Sequence, residues 1–228
     1  MNDPWHRLRS FTQARIAQGH AGCSLPTAAL LDFQLAHAFA RDAIHQSWDI
    51  ERFSEAVEIL GLEPLCLATP VADRVQYLQR PDLGRRLDPA SRQMLLSRVQ
   101  PVVDAALIIS NGLSSIAVER HGASLLKAII AAFDRMSLVY GPTCLVPDAR
   151  VALADEIGAL LKARLSVIVV GERPGLSAAD SLGVYLTYAP QVGRTDADRN
   201  CISNIRPPDG LSYEAAAAKL AYLSYEAL

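Results

Sequence analysis

The sequence predicts an α/β fold. The expected form is a Rossmann-like, doubly wound and mostly parallel sheet with helices on both faces, preceded by a mainly helical N-terminal region. Two observations carry this. From residue 101 onward, short apolar runs alternate with helical segments, the rhythm of strand–helix–strand units. The runs themselves, AALIIS at 105–110 and LSVIVVG at 165–171, are nearly continuous in apolar residues. That is how strands buried on both faces read. A third observation sets the organisation. The chain has 228 residues with no internal repeat and no low-complexity linker. It divides into a mainly helical region at 1–100 and a Rossmann-like α/β domain at 101–228.

The elements follow in order. Residues 24–46 carry Leu30, Leu31, Phe33, Leu35, Ala38 and Phe39 on one wide stripe, with Thr27 or Ser24 as the cap. A second helix spans 50–61 and stops at Gly61. LEPLCLATPV at 62–71 reads as loop with room for one short strand. VQYLQRPDLGRRL at 75–87 reads as a short strand and a turn at Pro81-Asp82. Asp88 followed by Pro89 is a strong helix start for 88–100. Next come the strand 105–110, the polar turn NGLSS, a helix at 121–141 stopped by Gly141-Pro142, and the strand TCLV at 143–146. A helix at 148–164 has Asp148 at its start and Lys162 and Arg164 at its end, matching the helix dipole. Strands are expected at 165–171, 183–189 and 200–205, and a last helix at 211–228 is capped by Ser212.

Composition excludes several classes of function. Half of the residues are hydrophobic, so a large core is available. A formal net charge of -2 argues against bulk electrostatic binding of nucleic acid or a membrane surface. No apolar run is long enough for a transmembrane helix, and MNDPWHRLRSF has no signal-like apolar region. The cysteines at 23, 66, 144 and 201 are widely spaced and read as free thiols without zinc spacing.

The familiar catalytic and nucleotide signatures are absent. No G-x-G-x-x-G, no G-x-x-x-x-G-K-[ST] and no G-x-S-x-G occurs. The five histidines are scattered. Glu119-Arg120-His121 reads as the solvated start of a helix, and the acidic TDADR stretch at 195–199 reads as a loop or at most a weak cation site. Three polar stretches remain: SNGLSS, GERPG at 171–175, and DADRNCISNIRPPDG around Cys201. GERPG locks a carboxylate and a guanidinium between turn residues at the end of a buried strand. All three fall at predicted strand ends, along the edge of a sheet where α/β proteins bind ligands. That convergence favours a large polar ligand over a set of catalytic side chains.

Five stretches carry a resemblance. They are ARIAQGHAGCSLPTAALLDFQLAHAFARDAIH (14–45), YLQRPDLGRRL (77–87), ISNGLSSIAVE (109–119), VGERPGLSAADSL (170–182) and GRTDADRNCISNIRPPDGLSYEAAA (193–217). In this order they resemble the small (light) subunit of ethanolamine ammonia-lyase and cover most of the chain. The resemblance implies an adenosylcobalamin-dependent radical enzyme that converts ethanolamine to acetaldehyde and ammonia. It implies a large-subunit partner, a (β/α)8 barrel that holds the substrate, and an assembly of six of each chain. The small subunit then helps hold the cobalamin at the subunit interface, and it supplies no catalytic residue and no metal ligand of its own.

The resemblance also implies three cofactor contacts. The Glu of VGERPG is Glu172, the Cys of CISNI is Cys201, and the Val of ARVALADEIG is Val151. A carboxylate fixed at a strand edge suits the amide N–H donors on a corrin rim. Cys201 and Val151 suit compact, weakly polar contact. No Asp stands two residues before any histidine, so D-x-H-x-x-G is missing and the cofactor is expected base-on. Asn111 stands where many relatives have Asp, a change expected to keep an acceptor. The expected address is the cytoplasm, with a bacterial microcompartment as the alternative.

Overall fold

A computed structural model describes residues 5–98 and 102–228. Its six strands are β1 (Pro64–Cys66), β2 (Ala105–Ser110), β3 (Tyr140–Leu145), β4 (Leu165–Gly171), β5 (Leu182–Tyr188) and β6 (Arg199–Ile205). They form one sheet in the order β1-β3-β2-β4-β5-β6. The edge strand β1 is the short strand expected within 62–71. It brings the first hundred residues into the sheet.

The sheet is mixed: most of its pairings are parallel, as expected, but its β5–β6 side is antiparallel, which departs from a doubly wound, Rossmann-like sheet. β1, β3, β2 and β4 pair in parallel, while β5 runs antiparallel to both β4 and β6. Connection length is the reason. Parallel neighbours need a crossover of a dozen or more residues, commonly a helix. Residues 172–181 and 189–198 contain no such helix, so β5 and β6 fold back as hairpins.

Helices cover both faces, as expected. Ala105, Leu107 and Ile109 point to one face, and Ala106 and Ile108 to the other, the period-2 alternation of a strand. The first face packs α2 (Ile50–Ile59), α6 (Ala123–Arg135) and α8 (Tyr213–Ala227). The second packs α4 (Pro89–Ser97) and α7 (Leu153–Leu160). The remaining helices are α1 (Thr27–His45), α3 (Arg74–Gln79) and the one-turn α5 (Ser115–Ala117), which runs through a π-turn at Val118–Gly122 into α6.

Caps follow local chemistry. Asp49, Asp88 and Ser212 accept backbone N–H bonds at the starts of α2, α4 and α8. The cap of α1 is Pro26, which makes no side-chain cap bond, so neither Thr27 nor Ser24 fills that role. The last residues of the expected helix 88–100 lie outside the described residues.

Three segments differ from expectation. VQYLQ is helix α3 rather than a strand, because Asp73 accepts from Gln76 N at 2.8 Å and nucleates the turn. Gly141-Pro142 does not stop a helix. The helix has already ended at Arg135, and Pro142 lies inside β3, where the register with β2 shifts between Ala105 and Leu107. A strand tolerates proline at such an irregularity, because no ladder N–H is needed there. Asp148 does not start α7. It sits at φ 50°, and its carboxylate turns to Arg74 instead.

Candidate functional site

The site is built at the sheet edge where β2 and β4 end and β5 begins. Two backbone turns meet there with little room. Gly112 has φ 49°, and a Cβ on it would stand 2.2 Å from Val170 Cγ2. A Cβ on Gly171 would stand 2.2 Å from the Ser114 carbonyl oxygen. Leu113 N–H donates to Gly171 O at 2.9 Å, which locks the turns together. SNGLSS and GERPG are therefore one packed unit.

Polar side chains fix this edge. Ser110 Oγ accepts from Gly112 N and Ala149 N. Asn111 Oδ1 accepts from Asp148 N at 2.7 Å, and its amide donates to Ser115 Oγ and Asp148 Oδ1. The sequence reading of Asn111 as an acceptor covers only half of its work. Arg74 donates to Asp148, to Gly112 O and to Ile44 O, tying α1 and α3 to the same corner.

A cleft of about 400 Å³ opens beside these turns, lined by Tyr77, Arg150, Val151, Glu172, Arg173 and Tyr185 among others. Val151 and Glu172 therefore share a wall. Glu172 is half-buried, and its carboxylate also braces β6: Ser203 Oγ donates to Oε1, and Asn204 N–H donates to Oε2 at 3.1 Å. Asn204 reaches it at φ 58°, a left-handed conformation that asparagine tolerates. Two bonds leave a carboxylate with further acceptor capacity.

Cys201 lies around the corner. It lines a second, larger groove of about 1010 Å³ between β6 and α8. Tyr185 joins the two spaces. It lines the first cleft and stands directly opposite Cys201 in the β5–β6 register. Desolvation and the neighbouring Cys201 push the Tyr185 hydroxyl far up. Desolvation raises the Cys201 thiol, the neighbouring Tyr185 hydroxyl partly offsets this, and the Glu172 carboxylate adds to the rise. The thiol is therefore held protonated at neutral pH, a compact contact group rather than a nucleophile.

Two further features hold the site in place. Arg199 Nη1 bonds both carboxylate oxygens of Asp155 at 2.7 Å, with the side chains only 3% and 2% exposed. This clamps β6 onto α7. Burial raises the Asp155 carboxyl even beside Arg199. Glu119 and Arg120 are exposed, as expected, while His121 is buried, and all three lie in the π-turn Val118–Gly122 that leads into α6. Glu119 accepts from Gln46, Arg120 pairs with Asp180, and buried His121 bonds the Tyr213 hydroxyl at 2.8 Å. TDADR forms a short 3-10 turn in which Asp198 caps Thr195. No cluster of three metal-ligating side chains occurs among the described residues.

Sequence reasoning missed Tyr77, Arg150 and Tyr185. Arg150 directly precedes Val151, and Tyr185 sits in an ordinary strand, so only pairing and packing reveal them.

Fold and site together define a mixed α/β protein with a cleft at the carboxyl ends of β2 and β4. The comparisons narrow this. The family model described as ethanolamine ammonia-lyase light chain (EutC) matches residues 2–228. The ethanolamine ammonia-lyase small subunits of Ralstonia nicotianae and Azotobacter vinelandii are each 51% identical to this chain over 228 residues, covering 99% of it and 84% of their own length. That of Pseudomonas putida is 52% identical over 233 residues, with the same coverage. The chain belongs to the ethanolamine ammonia-lyase light-chain family.

Proposed function

We propose that this chain is the small subunit of an adenosylcobalamin-dependent ethanolamine ammonia-lyase, and that it holds one edge of the cofactor against a large, substrate-binding subunit. One observation carries the reading. Val151 and Glu172 line a single cleft, and Tyr185 links that cleft to Cys201. Val151, Glu172 and Cys201 are the positions that match the family's cofactor contacts.

The residues present fit such a group. Glu172 offers spare carboxylate lone pairs to amide N–H donors, Val151 offers apolar contact, and Tyr185 and Cys201 offer a weakly polar rim. A cleft of about 400 Å³ takes an edge of a corrin and not the whole ring. That size suits a ligand shared between two subunits. When bound, the cofactor supplies the radical chemistry that turns ethanolamine into acetaldehyde and ammonia. This chain supplies binding and orientation. Glu172 fixes a rim amide, the packed turns at Gly112 and Gly171 hold Glu172 rigid, and the Asp155–Arg199 clamp keeps β6 in register. The cofactor is base-on in this reading, the complex holds six of each chain, and its address is the cytoplasm or a bacterial microcompartment.

Ammonia release from ethanolamine is the test of function, measured for this chain with adenosylcobalamin alone and after co-expression with a large subunit. Activity only in the co-expressed sample supports the reading. Glu172→Ala should raise the cofactor Kd of the assembled complex by about 1–3 kcal/mol, the cost of losing a charged hydrogen bond. Unchanged affinity in an assembled mutant would sink the contact and leave a scaffolding subunit.

A further inference from the structure

Two guanidinium groups stack on the ring of Tyr77, Arg74 at 4.8 Å and Arg150 at 4.1 Å from its centroid. Their charges are balanced differently. Arg74 has a carboxylate partner, Asp148, at 2.6 Å. Arg150 forms no ion pair with any described residue. Its Nη2 donates to the Tyr77 carbonyl at 3.0 Å, and its Nε is buried without a partner. The only carboxylate on the cleft wall, Glu172, is engaged by Ser203 and Asn204.

Arg150 is also held in place. Its backbone N–H donates to Gly84 O at 2.7 Å, and Tyr77 is anchored in turn by its hydroxyl bond to Ala149 O at 3.1 Å. Gly84 leaves the space for this packing, since a Cβ there would stand 3.0 Å from Arg150 Cγ. A fixed, half-buried cation without a counter-charge is costly unless something anionic completes it. Arginine is the side chain suited to a two-oxygen anion, because its planar fork makes paired hydrogen bonds.

We infer that Arg150 is a binding residue for a phosphate oxygen of the ligand. Given the proposed cofactor, on which this inference rests, that group is the phosphodiester of the cobalamin nucleotide tail. Glu172 takes a rim amide while Arg150, lining the same cleft, takes the phosphate. The two contacts orient the ring edge and the tail together. Arg173, exposed on the same wall, adds positive charge at the mouth.

The test uses the assembled complex of both subunits and reads binding, not turnover. Wild type, Arg150→Gln and Arg150→Lys are titrated by absorbance with cyanocobalamin and with cobinamide, which lacks the phosphate and nucleotide. Arg150→Gln should weaken cyanocobalamin about 10–100-fold, the range for a charged hydrogen-bonded pair. It should leave cobinamide within about twofold of wild type, and Arg150→Lys should fall between the two. A salt titration is the second arm. Wild-type affinity for cyanocobalamin should fall with ionic strength, and Arg150→Gln should flatten that slope. Equal losses for both ligands, no loss for cyanocobalamin, or identical salt slopes would overturn the assignment while leaving the cobalamin reading intact. A wild-type complex that binds no cyanocobalamin would overturn both.

Discussion

Gly171 occupies the tightest point of the sheet's carboxyl edge. A Cβ there would meet two backbone oxygens, Ser114 O at 2.2 Å and Asn111 O at 2.4 Å, and neither can move without opening the turn after β2. Gly171→Ala should therefore destabilise the fold by about 1–3 kcal/mol, the range for overpacking. The urea midpoint measures it, and a wild-type midpoint would refute the close approach. The adjacent Glu172 stands out in the sequence as a carboxylate between turn residues. Its bonds to Ser203 and Asn204 do not, because they cross from the end of β4 to β6 over the whole β5 hairpin. Arg150 is silent in the sequence for the same kind of reason. Its significance is the missing carboxylate partner, and partners are set by packing.

At the scale of elements, the loop 172–181 carries the site from β4 to β5 and is tied down along its length. Glu172 N–H donates to Ser181 O, Ser114 Oγ donates to Ala179 O, and Arg15 reaches Leu176 O. Asp180 is the charged anchor, bonded by Arg120 at 2.9 Å and close to His121. Burial pushes its carboxyl up, but the bonds from Arg120 and His121 outweigh this and hold it below the ordinary 3.8. A carboxyl lowered by folding adds stability that is complete above its ordinary value and is lost as pH falls through the lowered one. Asp180→Asn should thus cost about 1–2 kcal/mol at neutral pH. It should also flatten the loss of stability below about pH 4. Denaturant melts from pH 7 down to pH 3 measure both, and parallel wild-type and mutant curves would show that the anchor contributes nothing.

Across the whole molecule, protection is uneven. The sheet strands β2 and β4 are wholly buried. In α1 only Ala40 and Ala43 are buried, and the apolar stripe predicted for this helix lies open in the chain alone, with Leu31 58% and Phe39 59% exposed. Local opening is easiest where few apolar contacts must break. Amide hydrogen exchange of the isolated chain should therefore reach α1 well before β2 and β4. Equal protection of α1 and the central strands would contradict this picture of a core built on the sheet. No helix among the described residues is long and apolar enough to cross a membrane.

The sequence by itself determined the α/β class, the helical covering of both faces, and the capped starts of α4 and α8. Each depends on a local signal: period-2 or helical patterning, an N-cap, a buried apolar run. It also determined the family, through long motifs that span the chain. Only the tertiary structure decided that the sheet is mixed, because strand direction depends on what the connection between strands can span. Only the tertiary structure turned Val151, Glu172 and Cys201 into neighbouring walls joined by Tyr185. Contacts between residues far apart in the chain are fixed by register and packing, and neither leaves a local mark on the sequence.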